Sequence, residues 1–237
     1  MRICKTDRKI TPRCFRIYCT TNKERHSMKL STLFSRTLHT TYTHVQNSAD
    51  FATKRVGSTL YIYFAASDGR EDWINNLSFP AKAYKRSGNK TWYAHRGFLK
   101  VWKTVEDFIA ADIADETVKK IVISGYSHGG AIALLCHEYV WYNRPDLRES
   151  TEGYGFGCPR VVFGRISKDI SSRWENFTVV RNIDDIVTHL PPAAFGFSHV
   201  GVMLEIGQRG KYSKIDAHRA ESILAELKIW EKNNSAK

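Results

Sequence analysis

A serine enclosed by glycines is the first chemistry-bearing feature of the chain. Residues 121–135 read IVISGYSHGGAIALL, with Ser127 at the centre of Gly-Tyr-Ser-His-Gly. The β-branched run 121–123 predicts a buried strand, and the sequence after Gly130 has the pattern of a buried helix. A serine on a strand-to-helix turn is the arrangement of a nucleophile elbow, in which the hydroxyl attacks an acyl carbonyl.

The glycines on either side of this serine fit the same interpretation. Gly125 and Gly129 lie two residues before and after Ser127. At an elbow, a Cβ at either position is expected to collide with the neighbouring strand or helix, and glycine removes it. The helix that follows would direct backbone N–H groups towards developing negative charge. The alternative is a plain β-to-α turn that is rich in small residues and has no catalytic role.

Chain order limits which residues could be the catalytic acid and base. In an α/β-hydrolase the acid follows the serine and the histidine follows the acid. Residues 177–180 predict a strand that leads into Asp184 and Asp185, and either aspartate could leave the sheet towards an imidazole. Of the nine histidines, this order leaves His189, His199 and His218.

The base is expected on the loop between the next strand and the last helix. Residues 199–206 predict that strand, 207–214 a polar loop and 219–230 an amphipathic helix. His218 lies between the loop and the helix and is therefore the predicted base. His199, at the start of the strand, is expected to be a buried structural histidine, and His189 to pack within its loop.

Four sequence blocks together resemble the fungal-type triacylglycerol lipases, also called class 3 lipases. They are GYSHGGA at 125–131, GFGCPRV at 155–161, DIVTHLPP at 185–192 followed by FSHVG at 197–201, and DWINNL at 72–77. HRGF at 95–98 is similar to a further family motif. The resemblance extends from about residue 58 to residue 218.

The resemblance implies an α/β-hydrolase fold with a mostly parallel central sheet, helices on both faces and a short lid segment. It implies a serine carboxylic ester hydrolase, most closely a triacylglycerol lipase, with Ser127, Asp185 and His218 as catalytic triad. It selects Asp185 over Asp184 and makes His199 structural. On the same scaffold, a phospholipase, a feruloyl-type esterase, an acyltransferase or a non-catalytic binding protein remain alternatives.

The expected oxyanion hole departs from the family pattern. The family has F-R-G-[ST] after its strand, whereas this chain has YFAAS at 63–67. Ser67 occupies the donor position, and the backbone N–H of His128 is the second expected donor. Residues 68–80 are the expected lid, with an apolar face that would meet lipid at a lipid–water interface, and a fixed surface helix is the alternative.

Length and charge favour one catalytic domain with a basic extension. The chain has 237 residues and a formal net charge of +12. Residues 1–30 contain nine Lys and Arg against two acidic residues. Residues 1–27 are interpreted as an extension outside a catalytic domain of residues 28–237, with an anionic-membrane or nucleic-acid arm as the alternative. The expected partner is a lipid or another ester substrate, and no nucleic acid.

The sequence indicates no cofactor and no secretory signal, while the basic N-terminal segment leaves an organelle transit peptide as an alternative. The triad chemistry needs no metal or organic cofactor. Cys136 and Cys158 are expected to be buried thiols, and the three cysteines before residue 20 match no zinc pattern. The sequence contains no secretory h-region and no apolar run that could span a membrane. The default expectation is therefore a cytoplasmic location.

Overall fold

The computed structural model describes residues 28–45, 49–66, 81–84 and 91–234. Three predicted features lie outside these residues: the basic extension 1–27, the oxyanion residue Ser67 and the lid segment 68–80. The two cysteines within the described ranges, Cys136 and Cys158, are buried free thiols, as predicted.

A central sheet of six described strands organises the chain. Its strands are β1 (Phe51–Val56), β2 (Thr59–Phe64), β5 (Lys120–Tyr126), β6 (Thr151–Phe156), β8 (Phe177–Asn182) and β10 (Val202–Ile206). Their order is β1-β2-β5-β6-β8-β10. Only β1 runs antiparallel to its neighbour within this described sheet. The mostly parallel sheet predicted from the sequence is thereby confirmed.

A smaller antiparallel sheet lies beside the central one and was not predicted. It consists of β3 (Ala81–Tyr84), β4 (Trp92–His95), β7 (Val162–Phe163) and β9 (Phe197–Ser198), in the order β3-β4-β7-β9. Two of these strands have only two residues each. Such short segments carry too little periodicity to be recognised in a sequence.

Helices cover both faces of the central sheet, as predicted. They are α1 (Leu30–His39), α2 (Arg96–Ala114), α3 (His128–Asn143), α4 (Lys168–Ser171) and α5 (Ala220–Asn234). Alternate residues of β5 point to opposite faces, because side chains in a strand alternate. Ile121 and Ile123 join the core beneath α2 and α3, whereas Val122 and Tyr126 join the core beneath α1 and α5.

The strand predicted at 199–206 is shorter in the structure. It begins at Val202, because Gly201 has a φ of 83° and interrupts the extended backbone. A Cβ built on Gly201 would lie 2.3 Å from the carbonyl oxygen of Phe177, so this turn requires glycine. His199 consequently lies in a loop, half-buried, with Nε2 2.7 Å from the carbonyl oxygen of Thr188.

None of the helices in the described ranges has the length and apolar character needed to cross a bilayer. Nor do these residues contain a group of three or more His, Cys, Asp and Glu side chains that could hold a metal ion.

A buried ion pair connects α3 to the segment that precedes β8. Arg173 Nη1 lies 2.7 Å from Glu138 Oε1, and both side chains are almost completely buried. The guanidinium carbon of Arg173 is 5.2 Å from the centre of the Trp141 ring. Breaking such a pair is costly, because the remaining charge stays buried without its counter-charge.

We therefore expect Arg173→Met to lower the free energy of unfolding by about 3–5 kcal/mol. Joint replacement of Arg173 by Met and Glu138 by Leu should recover most of that loss, since no charge is then left buried. Urea unfolding monitored by tryptophan fluorescence measures both values. At the more exposed Lys103–Glu106 pair, Lys103→Met should change the value by less than about 1 kcal/mol. A single variant as stable as the unaltered protein would contradict this account.

Candidate active site

Ser127 lies on a strained turn between β5 and α3. Its φ of 55° and ψ of −121° make it the one non-glycine residue of the described chain with a positive φ. Backbone hydrogen bonds hold this conformation. The N–H of Ser127 donates to the Phe156 carbonyl at 2.8 Å, and the N–H of Gly130 donates to the Ser127 carbonyl at 2.9 Å. Such strain persists only where the surrounding structure enforces it.

The two glycines beside the turn are required by backbone contacts. A Cβ on Gly125 would lie 2.0 Å from the carbonyl oxygen of Gly129 at the start of α3. A Cβ on Gly129 would lie 2.3 Å from the carbonyl oxygen of Ala65 and 2.4 Å from that of Phe64, at the end of β2. The collisions expected from the sequence are therefore present, one with the helix and one with the strand.

The structure brings Ser127, His218 and Asp185 into one hydrogen-bonded line. His218 Nε2 is 2.8 Å from Ser127 Oγ, and His218 Nδ1 is 2.8 Å from Asp185 Oδ2. All three side chains are buried. The second carboxylate oxygen of Asp185 accepts a hydrogen bond from the N–H of Val187 at 2.8 Å. The carboxylate is thus held by both of its oxygens and has one orientation towards the imidazole.

The neighbouring candidates do not join this line. Asp184 Oδ2 accepts a hydrogen bond from the N–H of Gly210 at 2.7 Å, so it ties two loops together. The side chain of His189 is exposed rather than packed within its loop. The expectation for His189 was therefore wrong, because the three-residue helical turn at Val187–His189 directs its last residue outwards.

Arg160, which sequence reasoning did not single out, holds the loop that carries Asp185. Its Nη1 donates to the carbonyl oxygens of His189 and Pro191, the latter at 3.0 Å. Its backbone N–H donates to the Leu190 carbonyl at 2.7 Å. The signal for this contact was present in the GFGCPRV block, which contains Arg160.

Gly157 of the same block lies against the imidazole. Its φ is 58°, and a Cβ there would come within 2.9 Å of His218 Cε1 and 3.2 Å of Asp185 Oδ2. A side chain at this position would therefore push the histidine away from the carboxylate.

His128 begins α3 directly after the serine, so its backbone belongs to the first turn of the helix. Its ring is buried and packs edge-on against Phe98, with 5.4 Å between ring centres. Burial, followed by repulsion from His95, lowers the pKa of His128 to about 4, so the ring is neutral near pH 7. Ser67, the other predicted oxyanion residue, lies outside the described residues.

Comparison with known protein families identifies the family of this chain. The sequence profile of the family Lipase (class 3) matches residues 61–195, more than half of the chain. The chain belongs to the class 3 lipase family. The match includes Ser127 and Asp185 and ends before His218. The identification of His218 therefore depends on chain order, on the resemblance of the sequence blocks and on the hydrogen bonds described above.

Individual relatives agree with this family. The chain is 36% identical to a lipase of Rhizomucor miehei over 149 residues, which are 60% of this chain and 40% of that protein. The structure of the R. miehei triacylglyceride lipase matches with a TM-score of 0.59 and 28% identity, over 71% of this chain and 66% of that one.

A second solved structure is a triacylglycerol lipase whose catalytic centre is formed by a serine protease triad. It matches with a TM-score of 0.57 and 27% identity, over 68% of this chain and 62% of that one. The chain thus spans less than half of the length of the curated R. miehei lipase. The α/β-hydrolase fold and the family predicted from the sequence are confirmed.

The contacts of Gly129 lead to a prediction about stability. Gly129→Ala should lower the free energy of unfolding by about 3 kcal/mol, because the added Cβ meets the backbone of β2. The control is Gly164→Ala, where φ is 78° and no atom lies within 4 Å of the added Cβ. That change should cost about 1–2 kcal/mol through the backbone conformation alone. Equal losses in urea unfolding would contradict the proposed collision.

Buried histidines of this chain lead to a prediction about pH. Burial is the largest cause that lowers the pKa of His128, His137 and His199 to about 4. An unfolded chain binds these protons near pH 6.5. Between these two values the unfolded state holds more protons, so stability should fall as the pH falls through this window, by about 1.4 kcal/mol per pH unit for each histidine.

His137→Leu should make this slope shallower by up to about 1.4 kcal/mol per pH unit, because one histidine that is buried without its proton is removed. The free energy of unfolding in urea between pH 7 and pH 4.5 measures the slope. An unchanged slope in the variant would show that His137 does not contribute to it.

Proposed function

We propose that the chain is a serine carboxylic ester hydrolase of lipase type, with Ser127 as nucleophile, His218 as base and Asp185 as acid. The carrying observation is the hydrogen-bonded line from Ser127 Oγ through His218 to Asp185, built on a strained turn. A non-catalytic binding protein would have no need to keep a serine in this conformation beside an oriented imidazole.

In the first half of the proposed reaction, Ser127 becomes acylated. His218 Nε2 accepts the hydroxyl proton as Oγ forms a bond to the ester carbonyl carbon, and the carbonyl oxygen takes up the negative charge. The tetrahedral intermediate then collapses. Its carbon–oxygen bond to the alcohol breaks, and His218 gives the proton to the departing alcohol oxygen. An acyl ester on Ser127 remains.

In the second half, water replaces the alcohol. His218 removes a proton from the water as its oxygen attacks the acyl carbon, and the proton then passes to Ser127 Oγ when that bond breaks. The products are a carboxylic acid and the free enzyme. Asp185 holds the imidazole in the tautomer that presents an unprotonated Nε2 to the serine, and it stabilises the imidazolium formed in each half.

Two hydrogen-bond donors are proposed to stabilise the oxyanion, which is the negatively charged carbonyl oxygen of the intermediate. The first is the backbone N–H of His128, which lies at the positive end of the α3 dipole. The second is Ser67, which follows β2 in the sequence and would donate through its backbone N–H and its hydroxyl. Ala65 and Gly129 are in close approach, which supports an oxyanion hole between the end of β2 and the start of α3. Loss of one such donor typically lowers turnover by about 100- to 1,000-fold.

The proposed substrate is a lipid ester, most closely a triacylglycerol, used at a lipid–water interface through the segment 68–80. The supporting observations are the family match and the relatives that are lipases. A phospholipase, a feruloyl-type esterase and an acyltransferase use the same chemistry and differ in the alcohol, the acyl group and the acyl acceptor, respectively. Rates on a triacylglycerol, a phospholipid and a feruloyl ester, with water or an added alcohol as acceptor, distinguish these activities, and a comparison of monomeric with emulsified ester tests the use of an interface.

The deciding experiment compares the unaltered protein with Ser127→Ala on a chain-length series of p-nitrophenyl esters. The variant should lose activity by about 10⁴-fold or more, because no covalent intermediate can form. The matched control is Ser124→Ala in the same strand, where a buried hydroxyl lies 2.7 Å from Thr37 Oγ1 and contacts no triad residue. This control should remain active.

Labelling with a serine-directed phosphonate is a second test of Ser127 that does not depend on the choice of ester. It should add one adduct at Ser127 of the unaltered protein and none to Ser127→Ala, as measured by mass spectrometry. A folded, unaltered protein that neither hydrolyses any ester nor forms the adduct would refute the proposal in favour of a non-catalytic binding protein.

A further inference from the structure

The proposed base lies on a turn outside the central sheet. His218 ends a three-residue helical turn, Asp216–His218, that precedes α5. A histidine on such a turn needs its backbone fixed if its ring is to meet both Ser127 and Asp185. Two side chains from the sheet perform that task. Asn182 Nδ2 donates to the Ala217 carbonyl at 3.1 Å, and the hydroxyl of Tyr126 donates to the His218 carbonyl at 2.6 Å.

Tyr126 contacts the imidazole as well as the backbone. The rings of Tyr126 and His218 are stacked, with 5.4 Å between their centres and 29° between their planes. Tyr126 is 1% exposed, so both contacts are shielded from water. One side chain thus restrains the peptide and the ring of the same histidine.

The position of Tyr126 in the chain makes this restraint specific to the site. Tyr126 immediately precedes Ser127 and ends β5, so it belongs to the rigid strand that carries the nucleophile. Phe34 of α1 packs edge-on against it, with 5.4 Å between ring centres. A second contact between α1 and β5 joins Thr37 Oγ1 to Ser124 Oγ at 2.7 Å. The position of the Tyr126 side chain is therefore fixed by β5 and α1, and not by the turn that carries His218.

We propose that Tyr126 is a positioning residue that sets the distance between His218 and Ser127 by holding the peptide and the ring of the histidine. This inference rests on the proposed function of Ser127 and His218. Tyr126 itself forms no bond and transfers no proton in the proposed reaction. It acts through His218, whose misplacement by about 1 Å can lower turnover by about 100-fold.

Tyr126→Phe removes only the hydroxyl and keeps the ring contacts. We expect kcat to fall by about 3- to 30-fold with KM nearly unchanged, because the His218 carbonyl loses its donor and the turn relaxes. A looser Asp185–His218 contact also stabilises the imidazolium of the proposed reaction less, which adds to the loss in kcat.

The matched control is Tyr154→Phe. Tyr154 lies in the adjacent strand β6, is largely buried, and donates its hydroxyl to Glu152 at 3.1 Å. The substitution removes the same atom from the same sheet without a contact to the triad, so kcat should stay unchanged. Thermal unfolding of both variants reports any general loss of stability separately.

A measurement without substrate separates this inference from the proposed function. The proton between His218 Nδ1 and Asp185 should give a low-field resonance in the proton NMR spectrum, which disappears in His218→Ala. In Tyr126→Phe this resonance should shift upfield and broaden, whereas Tyr154→Phe should leave it in place. If the unaltered protein hydrolyses no ester, the proposed function fails, and the resonance still decides whether Tyr126 positions His218. An unchanged kcat together with an unchanged resonance in Tyr126→Phe would overturn the inference.

Discussion

The strained backbone at Ser127 is the constraint on which the rest of the site depends. A non-glycine residue at a φ of 55° is held there at a cost of about 1–3 kcal/mol, and the neighbouring elements must enforce it. They do so through two glycine contacts, where α3 meets β5 and where α3 meets β2. The helix can then begin directly after the serine. The hydroxyl is presented at the carboxyl end of the parallel strands, where side chains from neighbouring strands converge.

Each part of the hydrogen-bonded line comes from a different segment of the chain. Ser127 follows β5, Asp185 follows β8, and His218 lies beyond β10. Because no single segment could hold all three, the site exists only when the parallel sheet is formed. Arg160 secures the acid loop, and Tyr126 contacts the base.

The residues of the site differ in how well the sequence predicts them. The elbow was readable because its strand, serine and helix are contiguous and glycine has a clear steric role. Chain order narrowed the base to three histidines, and the predicted elements around His218 selected it. The choice of Asp185 over Asp184 rested on family resemblance, since two adjacent aspartates after a strand have no distinguishing pattern.

By itself, therefore, the sequence determined the elbow, because its strand, serine and helix are adjacent in the chain. The fold class and the proposed chemistry followed from the resemblance of several separate sequence blocks to one family. Tertiary structure alone decided which side chains support the site. Arg160 and Tyr126 reach carbonyl groups that lie 29 to 92 residues away along the chain. Hydrogen bonds to backbone carbonyls leave no trace in the type of the accepting residue. Such partners become visible only when the sheet brings distant segments together.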